Sequence, residues 1–310
     1  LDGQSLGVDN ATGGSARRKV YHRRVNTRIM NIEAATDGQT GWQANISLGY
    51  RAIAGRTVLT RREHRGPLRV QKALYPEGDA VCHTLLLHPP GGIAGGDALH
   101  VDIAAEAGAH ALITTPGATK WYRSAGQVAR AGLALHIAAG ATVEWLPQES
   151  IVFDGAQARV SNRIELASGA HFVGMDLYCL GRTASGERFT HGALHLDTRI
   201  SRDGRTLWLE QARLDGASPL LRSAAGLAGA PVFGSFVCAG IDADDALLAA
   251  CRSAPCAQGD TGVTRLPGLL VARYRGNCTQ SARAWFVHLW SLVRPVMSGR
   301  MAQAPRIWST

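Results

Sequence analysis

The sequence predicts an all-β protein, a β-helix-like stack of short strands with two α-helices near its C-terminus. Three observations carry that expectation. From Trp42 onward, apolar and polar residues alternate in short runs bounded by Gly or Pro, which is the period of half-buried strands. The runs follow one another too closely to leave room for the crossover helices of a parallel α/β fold. A faint repeat of strand, Gly-Ala turn and apolar strand also recurs at Gly108-Ala109, Gly140-Ala141 and Gly169-Ala170. Its steps of 32 and then 29 residues suggest stacked β-layers.

The elements follow in order. Residues 1–40 are polar, glycine-containing and without sustained periodicity, and read as a flexible basic arm ahead of a single domain over 41–310. Ala44, Ile46, Leu48 and Tyr50 alternate with polar or small residues until Gly55 breaks the run. Further strands are expected over 57–61, 68–75, 82–88, 99–105, 109–115 and 128–138, then 158–166, 171–180, 193–200, 207–214 and 269–275. Asp242 is expected to cap a helix over 244–253, where Leu247, Leu248 and Cys251 fall on one face. A second helix is expected from Thr279 to Arg294, with Pro295 ending it. Its aromatics Trp285, Phe286 and Trp290, with Trp308 in the tail, stand out in a chain that is only 6% aromatic. They suggest an exposed anchor for a protein partner.

Composition narrows the function classes. Net charge is +9, from 33 basic and 24 acidic residues. Part of it lies in the arm, where Arg17, Arg18, Lys19, Arg23, Arg24 and Arg28 face only Asp2 and Asp9 in the first 28 residues, a local +4. No dense Lys/Arg stripe with interleaved aromatics accompanies this, so nucleic acid is not the expected partner. No run approaches the roughly 18 apolar residues of a membrane span, and the N-terminus has no apolar signal core. The six dispersed cysteines form no CxxC pair, which fits reduced thiols in the cytoplasm.

Enzyme motifs are missing. The run Gly91-Gly92-Ile93-Ala94-Gly95-Gly96-Asp97 lacks the Gly-Lys-Ser/Thr of a phosphate loop, and Asp97 would repel phosphate. Thr183-Ala184-Ser185-Gly186 lacks the first glycine of a nucleophile elbow. Glu149 and Asp154 can be paired as glycosidase acids on a solenoid, the one hydrolase reading that remains. No catalytic residue and no nucleotide is therefore expected. Cys82, His83 and His88 crowd together, but adjacent strand residues point to opposite faces, which disfavours one chelate. Three acids stand in apolar or glycine-rich settings: Asp97, Asp176 and Glu210. A buried carboxylate needs a cation, a donor or a metal, so arginine pairs and metal contacts both stay open.

The ordered motifs Gly66-Pro67-Leu68-Arg69-Val70-Gln71-Lys72, Tyr75-Pro76-Glu77-Gly78 and Cys82-His83-Thr84-Leu85-Leu86-Leu87-His88-Pro89-Pro90-Gly91-Gly92-Ile93-Ala94-Gly95-Gly96-Asp97 resemble the urease accessory protein D family. So do Thr114-Thr115-Pro116-Gly117-Ala118-Thr119-Lys120-Trp121-Tyr122-Arg123-Ser124, Glu144-Trp145-Leu146-Pro147-Gln148-Glu149, Leu180-Gly181-Arg182, Ser185-Gly186-Glu187 and Pro305-Arg306-Ile307-Trp308. The likeness runs from Trp42 to the end, with Thr183 where the family has proline and Trp121 where phenylalanine is usual. It implies a maturation scaffold that binds apo-urease and accessory proteins F and G, with G the GTPase, and that passes Ni2+ in transit to the urease active site. A conduit favours weak, spaced carboxylates over a chelating cluster. Asp97, Asp176 and Glu210 suit that role, with Thr119 in a small-residue turn as a path-lining position. The rival readings are a free-standing nickel chaperone and the solenoid hydrolase.

Overall fold

The computed structural model describes residues 41–309; the expected basic arm, residues 1–40, lies outside them. Four turns of chain build a β-solenoid. The first runs β1 (Gln43–Ile53), its hairpin partner β2 (Arg56–Arg65), β3 (Arg69–Val70), β4 (Val81–Leu87) and β5 (Gly92–Ile93). The second is β6 (Ala98–Ala105), β7 (His110–Thr114) and β8 (Thr119–Trp121). The third is β9 (Ala129–Ile137), β10 (Thr142–Trp145) and β11 (Ser150–Val152), and the fourth is β12 (Gln157–Leu166) and β13 (His171–Leu180). Corresponding strands pair in parallel. The first sheet stacks β1, β6, β9 and β12, and the second stacks β4, β7, β10 and β13.

The repeat in the sequence is the corner of this stack. Gly108, Gly140 and Gly169 each hold a left-handed φ of 70–72°, a conformation in which glycine carries no Cβ penalty. In each turn the following alanine donates back three residues, from Ala109 to Glu106, Ala141 to Ala138 and Ala170 to Ala167. The corners also bond to one another, with Gly140 N donating to Gly169 O at 3.1 Å.

Beyond the parallel coils the chain turns back. The first sheet ends on β14 (Ala193–Arg202) and antiparallel β15 (Arg205–Asp215). The second is extended by antiparallel β16 (Val232–Ala239), β17 (Asp260–Leu266) and β18 (Leu269–Gly276), and α1 (Asp245–Arg252) lies between β16 and β17 in sequence. The sheets thus hold 7 and 11 strands. One core lies between them, with Ile46, Ile103, Leu135, Val143 and Phe172. A second lies between the outer face of the second sheet and α2 (Thr279–Ser298), with Val173, Phe236, Trp285 and Leu289.

Two expected boundaries shift. Asp244, not Asp242, caps α1, its carboxylate accepting from Leu247 N at 2.8 Å. Pro295 does not end α2. The helix runs through it for one further turn, because Val293 and Met297 are buried on either side of it, and Gly299 closes it in the left-handed region. The aromatic anchor is corrected as well. Trp285, Phe286 and Trp290 are fully buried core residues, and only Trp308 is half-buried. It packs edge-on against Trp290 at 5.8 Å and donates Nε1 to Thr114 Oγ1 at 2.8 Å. The strand expected over 68–75 shrinks to two residues, while β5, β8, β11, β16 and β17 lie outside the expected strands and β10 is implied only by the repeat. No helix among the described residues is long and apolar enough to cross a membrane.

Candidate functional site

The space between the sheets is incompletely filled. A chamber of about 280 Å³ is lined by Thr119, Trp121, Trp145, Asn162, Asp176 and Tyr178 among others. A second, of about 190 Å³, is lined by Asn162, Asp176, Thr198, Glu210, Ser235 and Arg273 among others. Six residues border both, namely Leu133, Trp145, Val160, Asn162, Asp176 and Tyr178, so the two are neighbouring rooms.

Strand alternation sets who faces this space. On β12 the inward positions read Ala158, Val160, Asn162, Ile164 and Leu166, a hydrophobic phase interrupted once by Asn162. On β13, Phe172, Tyr178 and Leu180 face the first sheet, and Asp176 shares their phase. Asn162 Nδ2 donates to Asp176 Oδ2 at 3.1 Å and reaches Thr198 Oγ1 at 3.1 Å. Burial and the neighbouring Glu210 charge raise the Asp176 carboxyl to about 6, against the Asn162 hydrogen bond. A carboxyl in that condition exchanges its proton readily near neutrality.

Glu210 enters from β15 at the edge of the first sheet. It is paired with Arg273 of β18 and lies 3.4 Å from Trp208 Nε1. Thr119 lines the first chamber only, Glu210 the second only, and Asp176 both. Three of the four expected path residues therefore border one or both of these neighbouring chambers. Asp97 does not. Its Oδ1 accepts from Trp42 N at 2.8 Å and its Oδ2 from Ala94 N at 2.9 Å. That bracing shapes the glycine loop whose Gly91 and Ile93 border the first chamber.

The crowded trio is dispersed. Cys82 packs in the inter-sheet core, His83 on the other face bonds Glu77 at 2.6 Å, and His88 borders the first chamber. Burial lowers the His88 imidazole's affinity for a proton, partly offset by Asp97. Among the described residues no cluster of three His, Cys, Asp or Glu side chains has metal-holding geometry. The hydrolase pair fares no better. Although burial raises the Asp154 carboxyl, amides of Thr190 and His191 hold it at about 2, the opposite of what a general acid needs.

Sequence reading missed a second set of charges, on the outer face of the second sheet. Glu144 accepts from His110 Nε2 at 2.5 Å, Trp290 Nε1 at 2.5 Å, and Arg294 Nε and Nη2 at 3.1 and 3.0 Å. Arg294, fully buried, also bonds Glu77 at 2.6 Å and Met301 O. Burial raises the Glu77 carboxyl, but His83 and Arg294 outweigh it and hold it at about 2. For Asn162 a signal existed, since it breaks an apolar phase. For Glu144 and Arg294 none did.

These features define a class: a β-solenoid with two neighbouring chambers between its sheets, bordered by Thr119, Asp176 and Glu210. The chain belongs to the UreD urease accessory protein family, whose family model, UreD urease accessory protein, matches residues 43–309. It is similar to the urease accessory protein UreD of an Azoarcus species, 53% identical over 284 residues, covering 91% of this chain and 99% of that relative. The protein of the same name from Dechloromonas aromatica is 51% identical over 273 residues, 87% of this chain and 95% of its own length. That of Pseudomonas aeruginosa is 51% identical over 271 residues, again 87% and 95%.

Proposed function

We propose that this chain is a non-catalytic urease maturation factor, a scaffold that binds apo-urease and accessory proteins F and G and conducts Ni2+ through its interior. The observation that carries the reading is the pair of neighbouring chambers, with Thr119, Asp176 and Glu210 distributed along them. Ni2+ binds imidazole and thiolate tightly and carboxylate less so. A path built from spaced carboxylates and neutral oxygens, rather than a chelating cluster, therefore attracts the ion without trapping it, the condition for transit. Nucleotide energy would come from accessory protein G. The six free cysteines suit the reducing cytoplasm, where thiols persist.

The test is co-expression of Thr119→Lys, Asp176→Asn and Glu210→Gln with urease and its accessory proteins. Nickel per urease active site should fall while size-exclusion profiles of the scaffold complex stay unchanged. Thr119→Lys is expected to act most strongly, because it both fills the first chamber and repels a cation. Full nickel loading with all three folded variants refutes the path. Failure to recover apo-urease with the wild-type chain refutes the scaffold and favours the free-standing nickel chaperone.

A further inference from the structure

Glu210 is not free to receive a cation, because a guanidinium already occupies it. Arg273 pairs with its Oε1, bonds Ser235 Oγ at 2.9 Å, and lies 5.5 Å from the Trp208 ring centre. The contact joins β15 at the edge of the first sheet to β18 of the second, and both side chains border the second chamber. Arg273 is the outer member, its side chain 46% exposed against 25% for Glu210. A cation approaching from this side meets the arginine before the glutamate.

We propose that Arg273 is the closed gate of the conduit, a positioning residue that cancels the Glu210 charge and bars the second chamber to divalent cations until it is drawn aside. The inference rests on the cation-path reading above. Three physical points support it. Arginine stays charged at every physiological pH, so the gate cannot open by losing a proton. Its Nη1 reaches both Glu210 Oε1 and Ser235 Oγ, so the closed state has a defined position. The pair is half-exposed, and pairs of that kind are worth little in water, so a docking surface can separate them cheaply. Asp176, further inside, has no such cation on it, only Asn162. Opening the gate would therefore leave two acids facing the second chamber without a cation between them.

The probe is Ni2+ alone, titrated calorimetrically into the purified full chain at pH 7.5. Arg273→Gln should bind Ni2+ about tenfold more tightly than wild type, since a repelling charge is removed and a carboxylate freed. Adding Glu210→Gln to that variant should abolish the gain, which a merely structural brace would not produce. Arg273→Lys keeps the charge but not the fork and should give a smaller gain, so it serves if the glutamine variant does not fold. An Arg273→Gln chain no tighter than wild type, or one whose gain survives Glu210→Gln, overturns the gate. If Asp176→Asn and Glu210→Gln still weaken binding in that case, the path stands without the gate. If none of the substitutions alters Ni2+ binding, path and gate fall together.

Discussion

The second sheet carries buried acids on both faces and treats them in opposite ways. Toward α2, Glu144 is saturated: an imidazole, an indole and a guanidinium all donate to it, and Arg294 ties it to Glu77 and the C-terminal tail. Toward the first sheet, Asp176 has one amide donor, a second acid nearby and open space in front of it. The outer cluster has nothing left to offer a ligand, and its bonds link four segments far apart in sequence. The inner acid is under-satisfied, and an under-satisfied carboxylate beside a cavity is one that a passing cation can use. Charge alone therefore does not separate the two acids; unfilled hydrogen-bonding capacity next to space does.

The sharpest way to break this contrast is Arg294→Met. Removing one partner of a buried charge network strands the others, so stability should drop by about 3–5 kcal/mol in urea denaturation. A loss below about 1 kcal/mol, the range of exposed pairs, would show that the outer cluster is not the saturated structural element described here.

The two faces should also respond to pH with opposite signs. Asp176 has its native affinity for protons raised from 3.8 to about 6, so the folded state holds the proton more tightly and loses stability as pH rises from about 4 to 6. Two units at 1.36 kcal/mol each set a ceiling of about 3 kcal/mol, less to the extent that water fills the chamber. Glu77 is lowered from 4.5 to about 2, so its contribution is full above about pH 4.5 and disappears as pH falls toward 2. Asp176→Asn should flatten the first slope and leave the second untouched. Superimposable profiles for wild type and variant between pH 4 and 6 would remove the claim that the inner acid is under-satisfied.

The smallest effect sharpens the outer side. Trp308→Phe keeps the ring against Trp290 but deletes the bond to Thr114 Oγ1. A loss of about 1 kcal/mol is expected, read as a shift in the urea midpoint. No shift would mean that the Thr114 bond contributes nothing to holding the tail, which Arg294, Gln303 and packing then secure.

What the sequence determined by itself is the local part. Alternation gave the strands of the first sheet, because a strand with one buried face must repeat every second residue. The Gly-Ala repeat gave the stack, because each corner needs a left-handed residue followed by one small enough to be buried where layers meet; Ala109, Ala141 and Ala170 are all buried there. Asp176 stood out as an acid in an apolar strand, and so did Glu210, which borders the same second chamber. The strands β16 and β17 were not legible, since one is rich in small and aromatic residues without alternation and the other is almost wholly exposed. Only the tertiary structure decided which acids matter. Asp97 reads like Asp176 in sequence, yet its oxygens are taken by two amides, one of them 55 residues away. Glu144 and Arg294 lie 150 residues apart, and Glu210 and Arg273 lie 63 apart. A carboxylate's role depends on which donors reach it and how much space it faces, and packing sets both by bringing together segments whose separation along the chain carries no trace of the contact.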